Sequence, residues 1–230
     1  MKAKSVFIAG TDTGIGKTFA ACGLLRALRA AGARASGMKP VASGCIETPD
    51  GLRSEDALAL IAASNPQPPY AECNPFAFAE PVSPHIAASE AHAEITLNPI
   101  EDAYDSIALQ TDVVVMEGVG GWLAPLSDNL RASAIPRHLR MPVILVVGLK
   151  LGCLNHAQLT ARAIHADDCE LIGWIGNRID PEMLHAKENL ATLHRSVGAP
   201  CLGELPYGID EVAAAAALRD AADAVRGTAR

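Results

Sequence analysis

Ser5-Val-Phe-Ile-Ala9 runs directly into Gly10-Thr-Asp-Thr-Gly-Ile-Gly-Lys-Thr18, and this stretch predicts the fold of the chain. Its first part is a short, continuously apolar run typical of a buried strand, and a helical pattern begins at Lys17. A strand that passes through a glycine-rich turn into Gly-Lys-Thr and a helix is the context of a nucleotide phosphate loop. The glycines let backbone N–H groups surround phosphates, and the helix N-terminus adds the positive end of a dipole. The stretch therefore predicts nucleotide binding.

The predicted phosphate loop differs from the strict motif in its spacing. Gly10 and Gly16 enclose one residue more than the motif does, and Thr11 occupies the position of the usual glycine. We expect Lys17 to contact the β- and γ-phosphates and the Thr18 hydroxyl to ligate Mg²⁺.

Short apolar runs and helical patterns alternate along the rest of the chain. Each run is continuously apolar, as strands buried on both faces of a parallel sheet are. The predicted strands are Ser5–Ala9, Asp112–Met116, Pro142–Val147 and Leu171–Ile175, with Ala35–Lys39 and Ala199–Leu205 as weaker candidates. The predicted helices are Lys17–Ala31, Ser54–Ala63, Pro99–Gln110, Asn155–His165 and Glu182–Val197. This alternation predicts an α/β fold, a doubly wound and mostly parallel sheet with helices on both faces.

Helix-capping residues and prolines refine the boundaries of the predicted helices and strands. Ser54 and Asn155 are predicted helix N-caps, and Gly32 and Gly198 are predicted C-terminal cap glycines. The segment Asn65–Pro84 contains six prolines, which argue against any regular element there. Such a loop is either functional or an incidental surface excursion. Because we find no repeat and no linker, we expect residues 1–230 to form one domain.

Composition excludes several classes of protein. The chain has 230 residues, of which 50% are hydrophobic, so it can bury a large core. Its net charge of −7 argues against a nucleic-acid-binding protein or an anionic membrane partner. Its six cysteines form no C-x-x-C, and none lies at zinc-ligand spacing from a nearby histidine, so we expect buried apolar thiols in a reducing compartment. No signal peptide or membrane span is predicted, which favours a soluble cytoplasmic protein.

Two carboxylates are candidates for a metal site beside Thr18. Glu117 ends a predicted core strand and precedes a glycine-rich turn, at the sheet edge where ligands bind in such folds. A charge there is unfavourable unless it is used. Asp56 lies in the first turn of a predicted helix near the same edge, where the alternative is an interaction with the helix dipole alone.

Two further groups of polar residues follow predicted strands. Lys39 could stabilise a transferring phosphoryl group, or it could be an ordinary solvated lysine; Ser43, four residues later, is unremarkable by itself. Asn177-Arg-Ile-Asp180 resembles the Asn-Lys-x-Asp base-reading motif of GTPases, with Arg178 in the lysine position. Asn177 could read a purine edge, and Asp180 keeps guanine open as the base.

Five motifs together resemble the ATP-dependent dethiobiotin synthetase family. They are Gly10–Thr18, Lys39–Gly44, Pro81–His85, Glu117–Trp122 and Val146–His156. The resemblance extends from the first strand to about Gly208. The five motifs together are specific for this family, although no single one of them is. It implies a homodimeric P-loop ligase that acts in the penultimate step of biotin synthesis. The implied substrates are 7,8-diaminononanoate, CO₂ and MgATP, and the implied products are dethiobiotin, ADP and phosphate.

The resemblance also implies roles for individual residues. Lys17 and Lys39 would be catalytic, Mg²⁺ would be bound by Thr18, Asp56 and Glu117, and the diamine would be contacted by Ser43. The helix that opens with Gly152, Cys153, Leu154 and Asn155 would bind the substrate carboxylate from the neighbouring subunit. The implied ATP-binding residues are Gly14, Ile15, Gly16, Lys17, Thr18, Phe19, Asp56, Glu117, Gly118, Val119, Gly120, Asn177, Arg178, Pro206, Tyr207 and Gly208, of which Asn177 would read adenine and Pro206–Gly208 would cover it.

Some positions depart from the pattern of this family, and two other classes of protein are alternatives. Gly14 stands where some family members carry an acidic residue, and Arg178 with Asp180 keeps GTP open as a donor. The main rival is a dimeric partitioning-type ATPase, a nucleotide switch that binds a partner. Those proteins carry an extra lysine early in the phosphate loop, where this chain has Asp12. A cobalamin-pathway relative would need a glutaminase domain, for which 230 residues leave no room.

Overall fold

The computed structural model describes residues 3–228, which form a sheet flanked by helices. The strands are β1 Lys4–Gly10, β2 Ala35–Met38, β3 Val41–Ala42, β4 Ile46–Thr48, β5 Gly51–Arg53, β6 Phe76–Ala77, β7 Val113–Glu117, β8 Val143–Gly148, β9 Leu171–Asn177 and β10 Cys201–Leu205. The helices are α1 Lys17–Ala30, α2 Glu55–Ala63, α3 Tyr70–Cys73, α4 Pro84–Glu90, α5 Leu97–Gln110, α6 Ala134–Leu139, α7 Cys153–Ala166, α8 Ala186–Ser196, α9 Glu211–Ala217 and α10 Arg219–Gly227. All six predicted strands and all five predicted helices are confirmed. None of the helices in residues 3–228 is long and apolar enough to cross a membrane.

The central sheet has six parallel strands in the order β10-β9-β8-β1-β7-β2. The chain builds β2 and β7 on one side of β1 and then crosses to β8 on the other, so β1 lies at the topological switch point. In register, Ile8 pairs with Glu117 and Gly10 with Val146, so the carboxyl ends of β1, β7 and β8 lie together. Ligands of doubly wound folds bind at such an edge.

Each face of the sheet is covered by its own apolar layer. Along β7, Val113 and Val115 pack towards α1 and α2, whereas Val114 and Met116 pack towards α5 and α7. Successive side chains of a strand point to opposite faces, so a strand covered on both sides is apolar throughout. The doubly wound α/β fold with helices on both faces is therefore confirmed.

Several boundaries differ from the sequence predictions. Gly152, not Asn155, is the N-cap of α7, and α8 begins at Ala186 rather than at Glu182. Ser54 does cap α2, because its side chain accepts a hydrogen bond from the Ala57 N–H. Gly32 and Gly198 have φ angles of 85° and 77°, the left-handed conformation of C-terminal caps.

The expectation that Asn65–Pro84 lacks regular structure was wrong. This segment contains α3 and β6, and β6 pairs in parallel with β3. Proline is tolerated at helix starts because the first N–H groups of a helix need no partner. Pro69 accordingly precedes α3, and Pro84 opens α4.

Candidate active site

The phosphate loop lies between β1 and α1, and a buried asparagine holds its backbone. Gly16 adopts a left-handed conformation with φ 81° immediately before the helix. The Asn177 side chain donates a 2.8 Å hydrogen bond from Nδ2 to the Ile15 carbonyl oxygen. Asn177 is the last residue of β9, so this hydrogen bond attaches the phosphate loop to the end of that strand. A Cβ atom at Gly16 would collide with Asn177 Nδ2.

We expect Gly16→Ala to weaken nucleotide binding at least tenfold. A left-handed alanine costs about 1–2 kcal/mol, and here the collision with Asn177 is added to that strain. Gly14→Ala is the matched control, because Gly14 has a φ of 71° but a Cβ there would meet nothing within 4 Å. Calorimetric titration with MgATP compares the two variants, and equal losses of affinity would contradict the role of the Asn177 contact.

Four polar side chains converge beside the loop. Lys39 Nζ lies 2.6 Å from Glu117 Oε1 and 2.8 Å from Asp56 Oδ2. The Thr18 Oγ1 atom lies 2.8 Å from Asp56 Oδ1 and 2.9 Å from Glu117 Oε1. A hydroxyl has a single proton to donate, so it bonds only one of the two carboxylates at a time. The cluster thus presents more oxygen acceptors than its own donors satisfy.

Lys39 is buried, and this excludes the alternative of a solvated lysine. Its side chain is 4% exposed, and the Glu117 side chain is 1% exposed. Burial lowers the pKa of Lys39, but the negative charges of Glu117 and Asp56 outweigh burial and raise the pKa above its usual value. Lys39 therefore remains an ammonium group at neutral pH, held between two carboxylates.

Glu117 and Asp56 respond differently to the same ammonium group. Burial raises the pKa of Glu117 and outweighs the attraction of Lys39. Burial also raises the pKa of Asp56, but Lys39 and the Thr18 hydroxyl outweigh it, so the pKa lies below its usual value. Asp56 thus does more than complement the helix dipole, because its carboxylate contacts both the lysine and the threonine of the cluster.

The cluster fits a hard divalent cation. Glu117 Oε2 is buried without a hydrogen-bond partner in the described structure. An orphaned buried carboxylate oxygen is unfavourable unless something else binds it. Beside the Lys39 ammonium group, the cluster offers a hydroxyl oxygen and carboxylate oxygens, the kinds of ligand that Mg²⁺ prefers. The residues present therefore fit a Mg²⁺ ion beside the phosphate loop.

Lys17 lines the same cleft as the cluster, with Nζ 2.8 Å from the Asp12 carbonyl oxygen. Burial, followed by repulsion from Lys39, lowers the pKa of Lys17 to about 8. An anion bound in the loop would favour the charged form of Lys17 again.

We therefore expect MgATP affinity to fall as the pH rises above about 8. Below about pH 8, Lys17 is already protonated in the free protein. Above that pH, Lys17 must take up a proton from solution when the nucleotide binds, and this lowers the affinity by about a factor of ten per pH unit. Lys39 does not titrate in this range, because its pKa is raised. Calorimetry in buffers of different ionisation enthalpy measures the proton uptake. A binding constant that stays flat above pH 8 would show that Lys17 binds nucleotide uncharged.

The loop and the cluster open onto one cleft of about 380 Å³. Its lining residues are Thr13, Gly14, Gly16, Lys17, Thr18, Lys39, Ala42, Ser43, Asp56, Glu117, Val119 and Gly120. A groove of about 450 Å³ at the far end of α1 is lined mainly by alanines. We place the chemistry in the smaller cleft, because the charged groups converge there.

Other candidate residues lie outside this cleft lining. Ile15 and Gly118 are buried beside it, and a Cβ at Gly118 would lie 2.8 Å from the Phe7 ring. Phe19 is half-buried in the first turn of α1, and Arg178 and Tyr207 are exposed after β9 and β10. Gly152, Cys153, Leu154 and Asn155 open α7, and Pro206 and Gly208 flank Tyr207 in the turn after β10.

Sequence reasoning missed an ion pair at the mouth of the loop. Lys150 Nζ lies 3.1 Å from Asp12 Oδ2, and this contact lowers the pKa of Asp12. Lys150 follows β8, which pairs with β1, so the adjacent strands bring the two residues together. Asp12, noted as the residue that replaces a lysine of partitioning-type ATPases, therefore pairs with a lysine of its own chain.

Comparisons of the fold place this chain among nucleotide-binding proteins. A family model described as an AAA domain matches residues 4–215. A solved MinC:MinD cell division protein complex from Aquifex aeolicus superposes with a TM-score of 0.61 at 15% identity, over 99% of this chain and 97% of the other. MinD with Mg-ADP from Pyrococcus horikoshii gives a TM-score of 0.57 at 14% identity, over 98% and 96%. At such identities only the fold is shared, and it is that of a P-loop nucleotide-binding α/β protein.

Sequence relatives narrow the class further. A protein of Xanthomonas oryzae pv. oryzae named ATP-dependent dethiobiotin synthetase is 52% identical over 217 residues, 94% of this chain and 97% of the relative. A relative of the same name from Xylella fastidiosa is 50% identical over 226 residues, 97% and 100% of the two chains. The chain belongs to the ATP-dependent dethiobiotin synthetase family.

Proposed function

We propose that this chain is a single-domain, ATP-dependent ligase that forms dethiobiotin from 7,8-diaminononanoate and CO₂ for biotin biosynthesis. The observation that carries the proposal is the position of Lys39, an ammonium group buried between two carboxylates beside a phosphate loop. A fixed positive charge there can stabilise negative charge that develops on a transferring phosphoryl group. The named relatives supply the substrate class.

The proposed reaction closes one ring in three steps, of which the second is the activation by ATP. One amine of the diamine adds to CO₂ and loses a proton, which gives a carbamate. A carbamate oxygen attacks the γ-phosphorus of ATP, and ADP leaves. The second amine then attacks the carbamate carbon, and phosphate leaves with the former carbamate oxygen while the amine loses a proton. Since no protein nucleophile is needed, positioning and charge stabilisation carry the rate.

The two lysines divide the charge stabilisation between them. Lys17 would contact the phosphates from within the loop. Burial, followed by repulsion from Lys39, lowers the pKa of Lys17 to about 8, and bound phosphates would favour its charged form. Lys39 and Ser43 line the same cleft, so a diamine contacted by Ser43 would carry its carbamate close to Lys39. Thr18, Asp56 and Glu117 would hold Mg²⁺, which supplies charge neutralisation to the phosphates when it is bound.

We propose that the substrate carboxylate binds at the N-terminus of α7 of a second subunit. Gly152 caps this helix without a side-chain partner. The Cys153 and Asn155 N–H groups donate to the Lys150 and Gly152 carbonyl oxygens, so the Leu154 N–H and the positive end of the helix dipole would bind the anion. Leu151 beside it is 93% exposed, which suits a subunit interface at this place. The active site would then be completed in a homodimer.

Adenine recognition is assigned to the segments after β9 and β10. Asn177 is 7% exposed and already bonds the phosphate loop through Nδ2, so its Oδ1 is the atom left for a base amino group. Adenine presents such a donor. Tyr207, which is 60% exposed, lies in the turn after β10 with Pro206 and Gly208 and could cover the base. Arg178 and Asp180 keep guanine as the second candidate.

Phosphate release tests this function. We expect phosphate release from MgATP to require both the diamine and bicarbonate. Mass spectrometry should detect one dethiobiotin for each phosphate released. The same assay with MgGTP decides which base Asn177 and Asp180 recognise. Diamine-independent phosphate release would contradict the proposal and support the nucleotide-switch rival.

A further inference from the structure

A second cluster of metal-binding side chains lies at the far edge of the sheet. His194 of α8 and Cys201 and Glu204 of β10 each direct one ligand atom to a common point, and these atoms lie within 4.8 Å of one another. His194 Nε2 is 3.6 Å from Glu204 Oε1. We propose that these three side chains form a site for Zn²⁺ or a similar borderline transition-metal ion.

A β-bulge creates this arrangement. Cys201 pairs with Trp174 and Gly203 with the adjacent Ile175, so Leu202 is an extra residue in β10. Positions 201 and 204 of a regular strand point to opposite faces. The bulge shifts the alternation, so that Leu202 and Leu205 both pack into the layer with α1 and α10. Cys201 and Glu204 are thereby directed to the other face, where α8 packs.

This geometry explains why no zinc-binding pattern is visible along the chain. Six residues separate His194 from Cys201, and with a regular strand Glu204 would lie on the wrong face. The sequence prediction concerned only the spacing of cysteines and histidines along the chain, whereas the fold brings Cys201 close to His194 in space. Gly203 permits the bulge, because a Cβ atom there would lie 2.7 Å from the Ala217 carbonyl oxygen.

The donor set selects the metal. A neutral imidazole and a thiolate are ligands of Zn²⁺, Co²⁺ and similar ions, whereas Mg²⁺ prefers oxygen. Tetrahedral zinc places its ligand atoms about 3.5 Å apart, so the widest pair needs to close by about 1.3 Å at most. His194 and Glu204 are 48% and 49% exposed, so rotation of these side chains can supply that movement. Three protein ligands leave a fourth position for water.

Metal binding would fasten α8 to the edge strand of the sheet. In the strand order β10 is terminal and has only β9 as a neighbour. Cys201 must lose its thiol proton to the solvent when the ion binds. The His194 ring lies 5.2 Å from the Trp174 ring, centroid to centroid, which provides an optical reporter beside the site.

Cobalt titration of the full-length, untagged protein tests this proposal in excess Mg²⁺, which saturates the oxygen site. We expect one Co²⁺ per chain, a thiolate-to-metal charge-transfer band and quenching of Trp174 fluorescence. Cys201→Ser should abolish the band, and His194→Gln should weaken binding at least about tenfold. Saturation with Zn²⁺ at about 100 times its Kd should raise the Tm by about 5 °C or more.

His185→Gln is the matched control. His185 is the N-cap of α8, and its Nδ1 lies 3.3 Å from Glu188 Oε1. This is a histidine–carboxylate pair outside the proposed metal site. This variant should bind Co²⁺ as the wild type does. A wild-type protein without the charge-transfer band, or a band that survives in Cys201→Ser, would overturn the proposal.

Discussion

Lys39→Met is expected to lower kcat by about 10²–10³-fold while the KM for MgATP changes by a few-fold at most. Lys39 is buried against Glu117 and Asp56, so its charge is fixed before substrate arrives. Such a charge acts on the negative charge that develops in the transition state, and its loss therefore appears in kcat. Methionine keeps the length of the side chain. Steady-state phosphate release with saturating diamine measures the effect.

The same variant reports on the electrostatics of the cluster. Without Lys39, the Glu117 and Asp56 carboxylates face each other, and removal of one member of a buried ion pair costs about 3–5 kcal/mol. Mg²⁺ should restore part of this stability, because a cation between the carboxylates replaces the lost ammonium. Lys187→Met, at an exposed position of α8, is the control and should leave both readouts unchanged. Unchanged kcat in Lys39→Met would remove Lys39 from the mechanism.

Glu117→Gln has the second largest expected effect. The substitution keeps the shape of the side chain but replaces a carboxylate whose Oε2 is buried without a partner. We expect the Mg²⁺ concentration for half-maximal activity to rise about 10–100-fold, the range found when groups that support a metal site are lost. The measurement is phosphate release as a function of free Mg²⁺ at fixed ATP.

Glu55→Gln is the control for this variant. Glu55 is exposed in the first turn of α2, next to Asp56 in sequence but not among the residues that line the cleft. Its Mg²⁺ titration should match that of the wild type. A wild-type titration curve in Glu117→Gln would instead show that Glu117 only supports the position of Lys39.

The fold was predictable because buried parallel strands are apolar on both faces. β7 up to Met116 and the whole of β8 are unbroken apolar runs, and the phosphate loop places β1 and α1 beside each other. The short strands β3 and β6 were not predictable, since each has only two residues and β6 lies within the proline-rich segment. Local patterns carry no information about such distant pairings.

The sequence pointed to individual polar residues near the phosphate loop but not to their contacts with one another. The position of Glu117 at the end of a core strand marked it as functional, whereas Lys39 alone gave no sign of burial. Its contact with Glu117 spans 78 residues and exists because β2 and β7 are neighbours in the sheet. The bulge at Leu202 is likewise a property of the pairing with β9, so the position of Cys201 beside His194 required the structure.

In the proposed reaction a carbamate oxygen, and not water, attacks the γ-phosphorus of ATP. The most direct test follows oxygen from freshly dissolved ¹⁸O-labelled CO₂ into the phosphate released during short reactions with MgATP and the diamine. We predict phosphate that carries one labelled oxygen, because the carbamate oxygen that attacks the γ-phosphorus leaves with phosphate when the ring closes. Unlabelled phosphate would mean that water attacks the nucleotide, and it would contradict the proposed mechanism.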